Sequence, residues 1–336
     1  MSTTSRMNRK NKKNSKAKII ILSICMLMVS AVIIYAIDLV IDTKNATSKI
    51  YEPIVNNTKQ ASEKTIDKVK AKDEAFTMLM VGVENQEGAT FGRSDVLIVI
   101  TVNPKTDKIS MVSIPRDSLV YIPDLDREAK INHSYAKGGI NYTVNTVEEL
   151  LDIPIDYYVS TDFEGFEDIV DTLGGIDVDV PFTFKAQLTK SLEWKTYTEG
   201  EMFLNGNEAL AYVRMRKSDP LGDMGRNNRQ RDVIKEIVDK GTSITSITKI
   251  DDMIEDVGNN VKSNIPPNSY LSFIKMYKSL NTIPIEQYKL EGSDEYINGG
   301  YYFRIDEESL TEITDKLNLI LDDNGQAAMH APEDNI

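Results

Sequence analysis

Arginines and acids keep recurring together along this chain: Glu84 ahead of Arg93-Ser94-Asp95, then Arg116-Asp117, Arg214-Met215-Arg216, and the run Asp223, Arg226, Arg229, Gln230. Guanidinium groups present paired donors that match phosphate oxygens in a fork. Carboxylates among them can hold a divalent cation or take up a proton. The chemistry within reach of such a set is the binding of a phosphate or pyrophosphate ester, with Glu84 and Asp95 as oxygen ligands for Mg²⁺ or Mn²⁺. Composition excludes other centres. Cys25, the only cysteine, lies in an apolar run, so the rest of the chain has no disulfide, no thiolate nucleophile and no thiolate zinc site. Two histidines, His133 and His330, are too few for a multi-histidine metal site. His133, following Lys130-Ile131-Asn132, is a secondary candidate.

These residues need particular elements to position them. Glu84 leaves the end of an apolar run at 76–83, and Asp95 enters a second run at 96–103. Both have strand length and near-continuous apolarity, as buried central strands do. Asn103-Pro104-Lys105-Thr106-Asp107 turns the chain into a third strand at 108–114, which Pro115 stops. Arg116 then projects at the same sheet edge, while Asp117 reads as structural. Arg214 and Arg216, two apart, share a side only in extended chain, beyond a helix that Asn205 caps and that runs to Val213. Arg226, Arg229 and Gln230 are spaced by three and four. They share one face at the start of a helix reading 227–241, where the dipole favours an anion. Further helices read at 138–151, 163–173, 247–262, 267–280 and 307–321, and strands at 157–161, 176–180 and 285–290. Strands interleaved with helices predict an α/β fold, an α-β-α sandwich.

The N-terminus predicts topology. Residues 1–18 carry seven bases and no acid, and residues 19–37 carry no charge. Such a run, extended by 39–41, spans a hydrocarbon core of about 30 Å at about 1.5 Å per residue. The basic flank stays cytoplasmic. The expected order is a cytoplasmic tail (1–18), a transmembrane signal anchor in the cell membrane (19–41), a stalk (42–75), an extracellular domain (76–321) and a disordered tail (322–336). The alternative is a cleaved signal peptide, whose apolar stretch is shorter, about 7–15 residues, with small residues at its exit. Residues 1–44 hold eight of the 39 bases and two of the 52 acids, leaving the remainder at net −19. Such a surface repels the phosphates of nucleic acid, so no nucleic-acid partner is expected.

Five motifs in order resemble those of the LytR-CpsA-Psr (LCP) family: GRSD (92–95), SIPRD (113–117), KINHSYAKGG (130–139), IDYYVSTDFEGFEDIVDTLGGIDVDVP (155–181), and LNGNEALAYVRMR with DMGRNNRQ (204–230). The resemblance implies a central mixed sheet enclosing a long pocket for a polyprenyl lipid, with an arginine-lined mouth. It implies transfer of an anionic glycopolymer (wall teichoic acid, capsular or secondary wall polysaccharide) from undecaprenyl pyrophosphate to peptidoglycan with Mg²⁺, at the outer face of a Gram-positive-type membrane. Carried over residue by residue, the pyrophosphate falls to Arg93, Arg116, Arg214, Arg216 and Arg226, with Gln230 beside them. Arg116 and Arg214 are the arginines on which transfer should depend. Asp95 is a metal ligand, and Asp223 is the general base for the acceptor hydroxyl. Two positions depart from the family: Glu84 stands where the first metal aspartate is usual, and Gln230-Arg231 replaces a double glutamine. Rival readings are a lipid-pyrophosphate hydrolase, with water replacing the acceptor, and a non-catalytic regulator that binds wall polymer or lipid.

Overall fold

The computed structural model describes residues 50–54, 74–85, 90–216, 218–241, 260–266, 269–280 and 282–322, all within the unit Thr47–Ile336. The expected membrane span at 19–41 lies outside them, as do most of the stalk and tail. Among the described residues no helix is long and apolar enough to cross a membrane.

Chain order begins with β1 (Phe76–Glu84), β2 (Arg93–Asn103), β3 (Lys108–Ser113), β4 (Leu119–Ile122), β5 (Arg127–Lys130) and helix α1 (Asn132–Leu151). Next come β6 (Tyr157–Asp162), α2 (Phe163–Thr172), β7 (Ile176–Val180), β8 (Phe184–Gln187), β9 (Trp194–Tyr197) and β10 (Gly200–Leu204). The remainder is α3 (Gly206–Arg214), α4 (Asp223–Gly241), β11 (Val261–Ser263), α5 (Tyr270–Leu280), β12 (Ile285–Lys289), β13 (Gly292–Ile297), β14 (Gly300–Ile305) and α6 (Glu307–Leu321).

Six strands form the central sheet in the order β11-β6-β1-β2-β3-β12. β1 runs parallel to β6 and antiparallel to β2, and β3 runs parallel to β12. The sheet is mixed, as expected. Period-two alternation sorts its side chains onto two faces. Leu79, Val81 and Val83, with Leu97, Val99 and Val112, are at most 4% exposed. They pack under α1 and α6 through Val144, Val147, Leu151, Ile313 and Leu317. Each such side chain contributes roughly 1.5–3 kcal/mol by leaving water, so this face is the main core. The opposite face carries Phe76, Met78, Met80 and Gly82. Phe273 and Met276 of α5 pack at its Phe76 end. Met78, Met80, Gly82, Val96 and Ile100 keep part of their surface open although all are apolar.

A second apolar cluster joins β7, β8, β9 and β10 to α2, α3 and α4 through Val170, Phe184, Tyr197, Leu210, Tyr212 and Val233. It fixes the junction that bears the second group of arginines. The start of α3 is determined locally. Asn205 accepts from the Glu208 backbone N–H at 3.0 Å, and the Glu208 carboxylate accepts from the Asn205 N–H at 3.1 Å.

β2 begins at Arg93, three residues before its expected start, and the other clear departures from expectation lie in the helices. α1 starts at Asn132, and Gly138-Gly139 kinks it rather than opening it, with Gly139 at φ 61° and ψ −145°. α4 starts at Asp223, four residues before its first expected position. The helix read at 247–262 ends in a strand, β11, which pairs with β6; residues 247–259 lie outside the described residues. The helix read at 267–280 begins at Tyr270. The β13–β14 hairpin turns on Asn298-Gly299, both left-handed at φ 51° and 80°. That dipeptide is the strongest short-range hairpin signal in a sequence.

Candidate active site

The β1–β2 ladder ends with Glu84 opposite Arg93. One step earlier the register slips: Gly82 faces Val96 and Val83 faces Ser94, so Asp95 is the extra residue of a β-bulge. Bulges re-aim side chains at sheet rims. Asp95 meets Arg116, whose Nη1 donates to Oδ1 at 2.7 Å. The Nε of Arg116 lies 3.4 Å from Asp117 Oδ2, and Lys130 Nζ donates to the other Asp117 oxygen at 2.8 Å. Asp117 is thus held in place, in keeping with a structural role. Burial depresses the Arg116 pKa, but Asp95 and then Asp117 outweigh it, and the net shift is upward. Arg214, the last residue of α3, reaches back across the chain to Glu84, with Nη2 at 3.1 Å from Oε1. Its guanidinium lies 4.3 Å over the Phe163 ring.

The second group of cations surrounds a cavity of about 410 Å³, lined by Arg116, Arg216, Arg226, Arg231 and Lys289 against Asp117, Glu291 and Asp294, with Tyr301 and Phe303 from the hairpin. Arg116 therefore belongs to both groups. α3 gives way to extended chain at Met215 (ψ 133°), which buries Met215 and leaves Arg214 and Arg216 exposed, as their spacing predicts. A larger cavity of about 790 Å³ shares Leu221 and Asn228 with the first but is lined by Asp177, Asp179, Asp219, Asp232 and Glu236. Acids outnumber bases there, with Arg229 and Lys235 the only cations among its described lining residues, whereas bases outnumber acids in the smaller cavity, so of the two the smaller suits an anion better.

Arg229 does not face that cavity. It is 1% exposed, pairs with Asp219 and donates to the Met215 carbonyl and, at 3.2 Å, to the Tyr212 carbonyl. It ties the segment carrying Arg214 and Arg216 to α4. Gln230 is also buried, with Nε2 3.5 Å from the Val213 carbonyl, and it is absent from the cavity lining. Of the three residues sharing the expected helical face, Arg226 alone lines the cavity. Asp223 opens α4, and its side chain lies outside the described residues. A residue that spacing did not single out is Arg231, five from Arg226 and off its face. It donates to Ser113 Oγ at 3.0 Å and Gln287 Oε1 at 2.9 Å, joining α4 to β3 and β12. The hairpin residues Tyr301 and Phe303 were detectable through Asn298-Gly299.

Glu84 and Asp95 offer hard oxygens from neighbouring strands, the donor type that Mg²⁺ takes together with waters and substrate phosphates. Among the described residues no three His, Cys, Asp or Glu side chains stand so as to hold a metal ion between them. The donor set fits an ion that draws its remaining ligands from a bound phosphate. Both carboxylates carry an arginine partner, so an ion bound there would compete with a guanidinium for the same oxygens.

Two glycines show how tightly this edge is built. A Cβ at Gly92 would sit 2.3 Å from the Glu84 carbonyl oxygen, and one at Gly225 would sit 2.1 Å from Asp219 Oδ2. Gly92→Ala is expected to displace the entry to β2 and destabilise by about 1–3 kcal/mol. Thermal melts test this: an unchanged midpoint would show that the loop absorbs the methyl group freely.

His133 is lowered from its ordinary pKa by burial and then by Arg93, Lys130, Arg127 and Lys137. It is neutral near pH 7.

The profile of the LytR_cpsA_psr family matches residues 37–319. The chain is 43% identical over 310 residues to the polyisoprenyl-teichoic acid–peptidoglycan teichoic acid transferase TagU of Bacillus subtilis, covering 92% of this chain and 97% of that protein. The crystal structure of B. subtilis TagV superposes with a TM-score of 0.66 at 41% identity, over 74% of this chain and 98% of that one. TagT bound to LI-WTA superposes with a TM-score of 0.63 at 34% identity, over 76% and 94%. The GRSD, SIPRD and DMGRNNRQ segments lie within the matched span and supply Arg93, Asp95, Arg116 and Arg226, and on the profile and these likenesses the chain belongs to the LytR_cpsA_psr family.

Proposed function

We propose that this protein transfers an anionic glycopolymer of the teichoic acid type from a polyprenyl pyrophosphate carrier to peptidoglycan. The observation that carries the reading is a continuous amphiphilic seat. Met78, Met80 and Gly82, with Ile100 and Val96 beside them and Ile98 buried between, form a half-open apolar lane on one sheet face. By the same alternation the lane ends at Glu84, among Arg214 and Arg93. A polyprenyl chain fits the lane, and its pyrophosphate fits the charged end. The relatives' names support the same substrate class.

In this reading Arg93, Arg116, Arg214, Arg216 and Arg226 bind and neutralise the pyrophosphate, which is the largest source of rate in phosphoryl transfer. A peptidoglycan hydroxyl oxygen attacks the phosphorus that bears the glycan. Its bond to the bridging oxygen breaks, and lipid monophosphate leaves with that oxygen. Asp223 takes the hydroxyl proton. Mg²⁺, or Mn²⁺ in its place, held by Asp95 and Glu84, would supply further charge neutralisation on the phosphate oxygens. Gln230 acts from within the wall, through the Val213 carbonyl. Residues 19–41 anchor the chain in the membrane with the domain outside, where lipid carrier and peptidoglycan meet.

The test incubates the full chain in vesicles with the polymer-bearing carrier, with and without peptidoglycan. Polymer joined to peptidoglycan is expected, with little release in its absence. Equal release of free polymer in both conditions would identify a hydrolase. Lipid binding without turnover in any divalent metal would identify a regulator.

A further inference from the structure

A patch of cations lies beside the arginine mouth and, apart from Arg93 where the two meet, is used by none of the steps above. Arg127 and Lys130 are the first and last residues of β5, about 10 Å apart along it, with the exposed Glu128 the acid between them. His133 and Lys137 are four apart in the first turns of α1 and share one side of it. Arg93 is brought alongside by the segment before it. Phe91 packs edge-on against Tyr135 with centroids 6.3 Å apart, and a Cβ at Gly139 would touch Phe91 at 2.9 Å. The largest charge effects on His133 come from Arg93, Lys130, Arg127 and Lys137.

The patch goes against the character of the chain, which carries net −13. A solvated charged face in an acidic protein mixes both signs. Here Arg93, Arg127 and Lys137 are exposed, and among the described residues none lies within ion-pair distance of a carboxylate. Lys130 alone is paired, with Asp117. Exposed, unpaired cations of this kind attract a polyanion without demanding a fixed geometry. An acidic domain that must handle a polyanionic substrate needs such a region to offset its own repulsion.

We propose that this surface is a track for the donor's polymer, holding the phosphodiester groups nearest the pyrophosphate as the chain leaves the mouth at Arg93. The inference rests on the transferase reading and deepens it. It predicts a preference for carriers bearing phosphodiester polymers over carriers bearing short neutral glycans.

The experiment compares the full-length wild type with the double substitution Arg127→Glu and Lys137→Glu. Two donors share one polyprenyl pyrophosphate linkage: one bears a phosphodiester polymer, the other a neutral disaccharide. For the polymer donor KM is expected to rise roughly tenfold and its salt dependence to flatten. For the disaccharide donor kcat and KM stay unchanged. Arg127→Lys with Lys137→Arg, which keeps both charges, behaves as wild type. Equal losses with both donors, or none with either, overturn the proposal. Weaker binding to vesicles of anionic phospholipid with an unchanged polymer KM assigns the patch to the membrane surface and overturns it too. Transfer of neither donor by the wild type strikes the functional reading itself, and this inference falls with it.

Discussion

Replacing Arg116 by alanine is expected to reduce polymer transfer about 10²- to 10³-fold while leaving the fold in place. Arg116 bridges the two cation groups: it pairs with Asp95 at 2.7 Å and lines the cavity that Arg216 and Arg226 also line. Its loss removes a fork donor and exposes the Asp95 charge to the incoming phosphate. Two penalties therefore fall on one substrate. Stability suffers far less, because Asp117 keeps Lys130 and the Arg116 side chain is 29% exposed, so screening limits the ion pairs to about 1 kcal/mol. Arg116→Lys is expected to recover only part of the rate, since a point charge cannot reproduce bidentate geometry. Arg214→Ala, which frees Glu84, is expected to resemble Arg116→Ala. Steady-state transfer with melting curves on the same preparations checks this. Wild-type rates in either variant would remove these arginines from the site.

Arg229→Met is expected to show the opposite balance, with a large loss of stability. Arg229 and Asp219 expose only 2% and 1% of their side chains. Removing one partner of a buried pair leaves the other charge uncompensated, at about 3–5 kcal/mol. For a domain of this size that lowers the melting temperature by roughly 10 °C. Activity falls as well, because the carbonyls of Tyr212 and Met215 lose the donor that holds the Arg214–Arg216 segment. Combining Arg229→Met with Asp219→Leu should return much of the stability, since no buried charge is left alone, but little of the activity. A single variant that melts with the wild type would show that the pair is not the clamp described.

The sheet edge was largely legible in the sequence because its determinants are local. Apolar runs at strand length, a Pro115 stop and an Asn205 cap place Glu84, Asp95, Arg116 and Arg214 with no knowledge of tertiary contacts. Arg229 and Gln230 were misleading for a physical reason. Spacings of three and four mark a shared face but not whether it meets solvent or protein. What turns this face inward is Asp219 in a preceding loop, admitted by the missing side chain of Gly225. No periodicity reports such a pairing. Likewise the arginines read as a single clamp, whereas the chain path after Met215 divides them between the Glu84 end and the cavity, with Arg116 common to both. β11 is three residues long and exists only through tertiary pairing, with β6 on one side and with Tyr51 and Glu52 at Ser263 on the other. The Asn298-Gly299 turn is a short-range signal that would have placed the β13–β14 hairpin from the sequence.

The central claim is that the apolar lane and its cationic end seat a polyprenyl pyrophosphate bearing a glycan. Mass spectrometry of lipid extracted from the full chain, purified in mild detergent from a teichoic-acid-producing host, tests it most directly. The expected species is a polyprenyl pyrophosphate with sugar attached, present in the wild type and strongly depleted in Arg116→Ala. Ordinary phospholipid alone, or the same polyprenyl species in equal amount in both proteins, would contradict the account.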